Sequence, residues 1–134
     1  MRRFGQGGFA TLEMILMVTV MGILAAIAVP RFTDVTTRAN TAKIQSDLTA
    51  IDTAIELYKL KEGTAPTSMT ALNGYLNDAD KLEPPTGKCY LNSSTAKDIP
   101  SGGYRIEAGR AKLGDHTAGD FIYKESSGSS GSGG

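Results

Sequence analysis

The sequence predicts an α+β fold: a long N-terminal α-helix, one half transmembrane and the other amphipathic, packed on a small antiparallel sheet of three to four strands. Three observations predict it. From Met14 to Val29 the chain reads MILMVTVMGILAAIAV, sixteen residues without a charge. After Pro30 apolar residues recur at helical spacing, and beyond Pro66 short β-prone runs alternate with Gly, Pro and Ser. At 134 residues there is room for one small domain.

Composition removes several function classes. The 14 basic and 14 acidic residues cancel, so the clustered basic excess that grips a phosphate backbone is missing and no direct nucleic-acid partner is expected. Cys89 and His116 stand alone in their residue types, too few for a Cys/His zinc site or an internal disulfide. The mean hydropathy of -0.16 hides a very uneven distribution. Residues 126–134, SSGSSGSGG, have nothing to bury and read as a flexible tail, either native or an added linker.

The first element begins with a basic, Gly-rich stretch, MRRFGQGG, followed at once by the apolar run. The positive-inside rule places Arg2 and Arg3 in the cytoplasm and sends the C-terminal part across the bilayer. As a helix, Phe9 to Val29 spans roughly 32 Å against a hydrocarbon core of ~30 Å, so the segment is long enough to cross once. A cleaved secretory signal is the competing reading. Against it stand the length of the apolar run, the lack of a clean small-x-small site with a polar exit, and Glu13 near the start of the span. A cut at Ala26 to Ala28 would leave Val29 and Pro30 at the new N-terminus.

Gly8 followed by Phe9-Ala10-Thr11-Leu12-Glu13, then the apolar run with Gly22 and Pro30, resembles the class III signal and N-terminal helix of type IV pilins and type II secretion pseudopilins. The likeness covers about residues 5 to 62. It implies a pilin fold and a division into a leader over 1–8, a hydrophobic helix over 9–30, a globular head over 31–125 and the tail. A prepilin peptidase would cut after Gly8 and methylate Phe9; Ala10 stands where many members have Thr or Ser. The implied product is a structural subunit, not an enzyme, that polymerises as a homo-oligomer into a type IV pilus or pilus-like filament for adhesion, twitching motility, DNA uptake or secretion. It would sit first in the bacterial inner membrane, single-pass with a cytoplasmic N-terminus. An assembly platform driven by a cytoplasmic ATPase would then move it into an extracellular or periplasmic filament. Two alternatives stay open: a major pseudopilin of a type II secretion system, and a membrane-anchored binding protein that never polymerises.

Within that segment Glu13, Phe9, Gly22 and Pro30 carry physical consequences. A carboxylate in hydrocarbon costs about 2.5–3.5 kcal/mol at a helix centre and less near the interface, unless it finds a cation. The free amine that cleavage creates on Phe9 of a neighbouring copy is such a cation, and the pair would set axial register; the plainer alternative leaves Glu13 in the headgroup layer. Pro30 removes a helix hydrogen bond and Gly22 weakens the helix by about 1 kcal/mol relative to Ala, so this stretch is the expected helix break in a filament, or else a simple bend.

The amphipathic half follows. Ile44, Leu48, Ile51, Ile55 and Tyr58 form a stripe at spacings of 4, 3, 4 and 3, with Lys43, Asp47, Asp52, Glu56 and Lys59 on other faces. Lys59 and Lys61 favour the negative end of the dipole, and Gly63 with Pro66 ends the helix. Ser68 to Gly74 reads as a short capped helix, and Lys88–Leu91, Tyr104–Ala108, Arg110–Leu113 and Asp120–Lys124 as strands. Tyr104, Ile106, Leu113, Phe121 and Tyr123 are read as packing residues, Cys89 as a buried thiol and His116 as solvated. Asn92-Ser93-Ser94 matches a glycosylation acceptor. Asp98, Asp115 and Asp120 offer oxygens for the Ca²⁺ that major pseudopilins hold, but that subfamily's C-terminal loop pattern is missing and no cofactor is expected.

Overall fold

The computed structural model describes residues 4–126, and side-chain surroundings for 8–27 and 32–126. Arg2, Arg3 and residues 127–134 lie outside the described residues. Helix α1 spans Phe4–Glu62 and is helical through both Gly22 and Pro30. The chain divides into two units, Met1–Val35 and Thr36–Gly134.

The second unit is built on the stripe that the spacing marks out. Ile44, Leu48, Ile51 and Ile55 are fully buried, and each contributes roughly 1.5–3 kcal/mol by leaving water. They meet Leu72, Cys89, Tyr104, Leu113 and Phe121 in one core. The helix ends where expected: Gly63 takes φ 75°, and its N–H donates to the carbonyl of Lys59 at 2.9 Å. That left-handed conformation satisfies an orphan carbonyl at little cost because Gly has no Cβ. The next element is a 3₁₀ turn over Thr70–Gly74, with the Ser68 hydroxyl accepting the Ala71 N–H at 3.4 Å.

Four antiparallel strands follow, as two hairpins instead of one sheet. Strands β1 (Lys88–Tyr90) and β2 (Ala96–Asp98) pair in the register Lys88 to Asp98, and β3 (Tyr104–Glu107) and β4 (Arg110–Leu113) in the register Tyr104 to Leu113. Sequence reading misses β2 because Ala, Lys and Asp have low strand propensity; pairing with β1 imposes the conformation. It also overextends into Asp120–Lys124. There the Asp120 carboxylate caps a 3₁₀ turn over Ala118–Asp120 by accepting the Thr117 N–H at 2.9 Å, and only an isolated bridge from Tyr123 to Ser93 forms. The segment still packs. Phe121 is fully buried, and the Tyr123 ring lies edge-on to Tyr90 at 4.9 Å with the Arg38 guanidinium 3.9 Å from its centroid.

The β3–β4 turn is the strained point of the head. Its two central residues, Ala108 and Gly109, both have positive φ, 51° and 73°, the geometry of a type I′ turn in which Asn-Gly is the favoured pair. Ala108 is exposed, so its side chain gains nothing to offset the left-handed cost. Replacing Ala108→Asn should raise head stability by about 0.5–1 kcal/mol in urea unfolding. An unchanged or lowered midpoint would contradict this account of the turn.

Candidate assembly surface

The first unit is an apolar rod with its side chains outward. Large apolar side chains from Phe9 to Ile27 are exposed, Phe9 at 73%, and this stretch is long and apolar enough to cross a membrane. Its few polar groups are dealt with locally: the Thr19 hydroxyl donates to the Ile15 carbonyl at 2.7 Å. Glu13 lies on the wall of a shallow groove with Leu16, Met17, Val20 and Met21. These positions, i, i+3, i+4, i+7 and i+8, are one face of the helix, so the carboxylate is set in a hydrocarbon surface.

Phe9 stands one turn before Glu13 on that face, and Gly8 directly precedes it; all three are exposed. Gly22 lies two to three turns further on. A methyl group added at Gly8 or Gly22 would meet nothing within 4 Å, so neither glycine serves packing inside this chain. Pro30 is part of the continuous helical backbone. The structure thus brings Gly8, Phe9 and Glu13 into one short segment and sets Gly22 and Pro30 apart from it.

Sequence reading missed a second set of residues, those that fasten the head to the C-terminal half of α1. Asn40 Nδ2 donates to the carbonyls of Thr86 and Lys88 at 3.2 and 3.1 Å. Thr41 Oγ1 accepts the buried Tyr90 N–H at 2.8 Å and donates to the Thr37 carbonyl at 2.7 Å. Further along, Asp47 Oδ2 accepts the Tyr104 hydroxyl at 2.7 Å, Asp52 Oδ1 accepts the Ala111 N–H at 2.8 Å, and Lys59 reaches the Gly109 carbonyl at 3.5 Å. Asp47, Asp52 and Lys59 therefore border the core. Their flanking positions beside the Ile/Leu stripe were the available signal, and periodicity alone counts them as surface.

The remaining candidate groups have structural partners. The Asp115 carboxylate pairs with Arg105 at 3.3 Å and Asp120 caps its turn; among the described residues no three acidic, His or Cys side chains gather as a metal site would need. His116 is half-exposed, with its ring edge-on to Phe121 at 6.0 Å. Cys89 is buried in β1, and Asn92 is exposed in the β1–β2 connection.

No family model and no solved structure matches the chain. It is 31% identical over 100 residues to the type II secretion system core protein G of Klebsiella michiganensis, covering 75% of this chain and 69% of that one. Fimbrial protein Q of Moraxella bovis is 31% identical over 118 residues, 87% of this chain and 74% of that one. The type IV narrow pilus major component of Thermus thermophilus is 37% identical over 60 residues, 45% and 52% of the two chains.

The fastening contacts have a pH signature. Burial, together with the Asp47 carboxylate that accepts its proton, pushes the Tyr104 phenol well above its ordinary 10.0, and burial pushes the Cys89 thiol above 9.0. Both groups bind their proton more tightly when folded, so this stabilisation is complete below pH 9 and is lost as pH rises beyond 9 and then 10. Urea midpoints of the head should hold level up to about pH 9 and fall above it. Tyr104→Phe should cost about 1 kcal/mol at neutral pH and flatten the fall above pH 10; an equally steep fall in that variant would assign the effect elsewhere.

Proposed function

The chain belongs to the family of type IV pilins and type II secretion pseudopilins, and from that premise we propose how it is processed, placed and assembled. It is a structural subunit of a pilus or pilus-like filament. A prepilin peptidase on the cytoplasmic side cuts between Gly8 and Phe9 and methylates Phe9. The subunit waits in the inner membrane as a single span, N-terminus inside. A platform powered by a cytoplasmic ATPase then extracts it into a filament outside that membrane. Its role is structural and not catalytic, a reading supported by charged head groups engaged in fastening α1.

The observation behind this reading is the outward display of nearly every apolar side chain from Phe9 to Ile27, with Glu13 set among them. Only lipid or like helices can cover that surface. Because the two are similarly apolar, the hydrophobic effect alone does not drive the exchange between them, and packing together with the Glu13 pairing decides it. The new amine of Phe9 on a neighbouring copy supplies the cation for Glu13, and the pair fixes the axial step between subunits. Gly22 and Pro30 mark where the helix loosens once it is packed among others.

Two measurements test these steps. The intact mass of the mature chain should correspond to loss of residues 1–8 and gain of one methyl group; a retained Met1, or a cut after Ala28, would refute the processing. Glu13→Ala should leave membrane insertion and head folding intact while filament yield falls at least about tenfold, the scale of one lost charge-assisted pair. Normal filaments from that variant would leave Glu13 in a headgroup role only.

A further inference from the structure

The two hairpins of the head form separate two-stranded sheets, yet one segment reaches both. Residues 116–124 start at the end of β4, where the Leu113 and His116 N–H groups donate to each other's carbonyls at 3.0 and 3.1 Å. They finish on the β1–β2 connection, where Tyr123 bridges Ser93 and the Lys124 N–H donates to the Ser93 carbonyl at 3.3 Å. Between these two ends the backbone bonds stay inside the segment, from Asp120 to Thr117, Phe121 to Ala118 and Ile122 to Asp120.

Side chains hold the middle of the segment at two points. Phe121 is fully buried in the core, and the Tyr123 ring stands edge-on to Tyr90 with the Arg38 guanidinium over its face. Phe121, Ile122 and Tyr123 share a groove of about 200 Å³ with Arg38, Thr41 and Gln45 of α1. The segment departs from β4 at Gly114, where a Cβ would come 2.8 Å from Pro100, so its root is closely held. A segment whose backbone is bonded to the rest of the head only at its ends opens at lower cost than strands laddered along their length. The hairpins keep their own ties to α1 when it does, β1 through Thr41 and β4 through Asp52.

On these grounds we propose that residues 116–124 are a strap that opens and closes as one unit on a head that otherwise stays folded. Closed, it couples the two hairpins and covers α1 between Arg38 and Gln45. Open, it withdraws Phe121 from the core and uncovers that stretch of helix together with the Tyr90 ring. Phe121 and Tyr123 release together because they are two residues apart on one short segment, and the opening pivots at the Gly114 root. The device lies within the head and does not depend on how the subunit assembles.

Amide hydrogen exchange on the full chain in detergent micelles tests the strap. The His116 and Lys124 N–H groups, at its opposite ends, should show protection within about threefold of each other, and at least about tenfold below that of the Ala111 N–H, which the Asp52 carboxylate accepts. Tyr123→Ala should speed exchange at His116 and Lys124 together by at least about tenfold and leave Ala111 within about twofold. Tyr123→Phe, which keeps the ring, should match the native chain. Faster exchange at Lys124 alone means fraying of one end, and faster exchange at all three means unfolding of the whole head; either result overturns the strap. So does an unchanged pattern in Tyr123→Ala, or a Tyr123→Ala chain that does not fold, since the head must survive the loss of this latch.

Discussion

Hydrocarbon that the polypeptide cannot cover with its own atoms governs this molecule. In the first unit the apolar side chains point outward around the whole circumference of the helix, so no arrangement of the remaining residues could shelter them. Water is excluded as a resting environment, and only a bilayer or a bundle of similar helices remains. These two solvents are close in free energy, so either can cover a segment of this composition. Glu13 in its apolar groove is a polar feature of that segment, and the proposed register contact rests on it.

The head solves a different problem. It must hold its position on the C-terminal half of α1. Packing on one side of α1 through Ile44, Leu48, Ile51 and Ile55 provides the adhesion, but aliphatic contacts tolerate sliding. The hydrogen bonds at Asn40, Thr41, Asp47, Asp52 and Lys59 do not, because each joins a fixed helix position to a fixed strand or loop atom. Two hairpins too short to form a stable sheet alone are thereby each hydrogen-bonded to the helix.

What could be read from the sequence divides along the same line. Periodicity exposed the buried stripe, and the uncharged run exposed the anchor, since both are patterns written in consecutive residues. The end of α1 was legible through Gly63, whose left-handed φ the structure confirms. Strand β2 was not legible, because Ala96, Lys97 and Asp98 become a strand only through partners six to ten residues earlier. Asp120 was misread for the opposite reason: its side chain serves a local turn that competes with pairing. The fastening residues escaped notice because a charge beside a core and a charge in solvent occupy neighbouring helical positions, and only tertiary contacts tell them apart.

The five fastening points are spread from Asn40 to Lys59, about five helical turns. Tension applied along that rod does not peel them apart in succession. Because the five contacts sit at separate levels along the helix, a load along it is divided among them. A head secured in this way resists being stripped from its shaft under a pull that would unzip a single terminal contact.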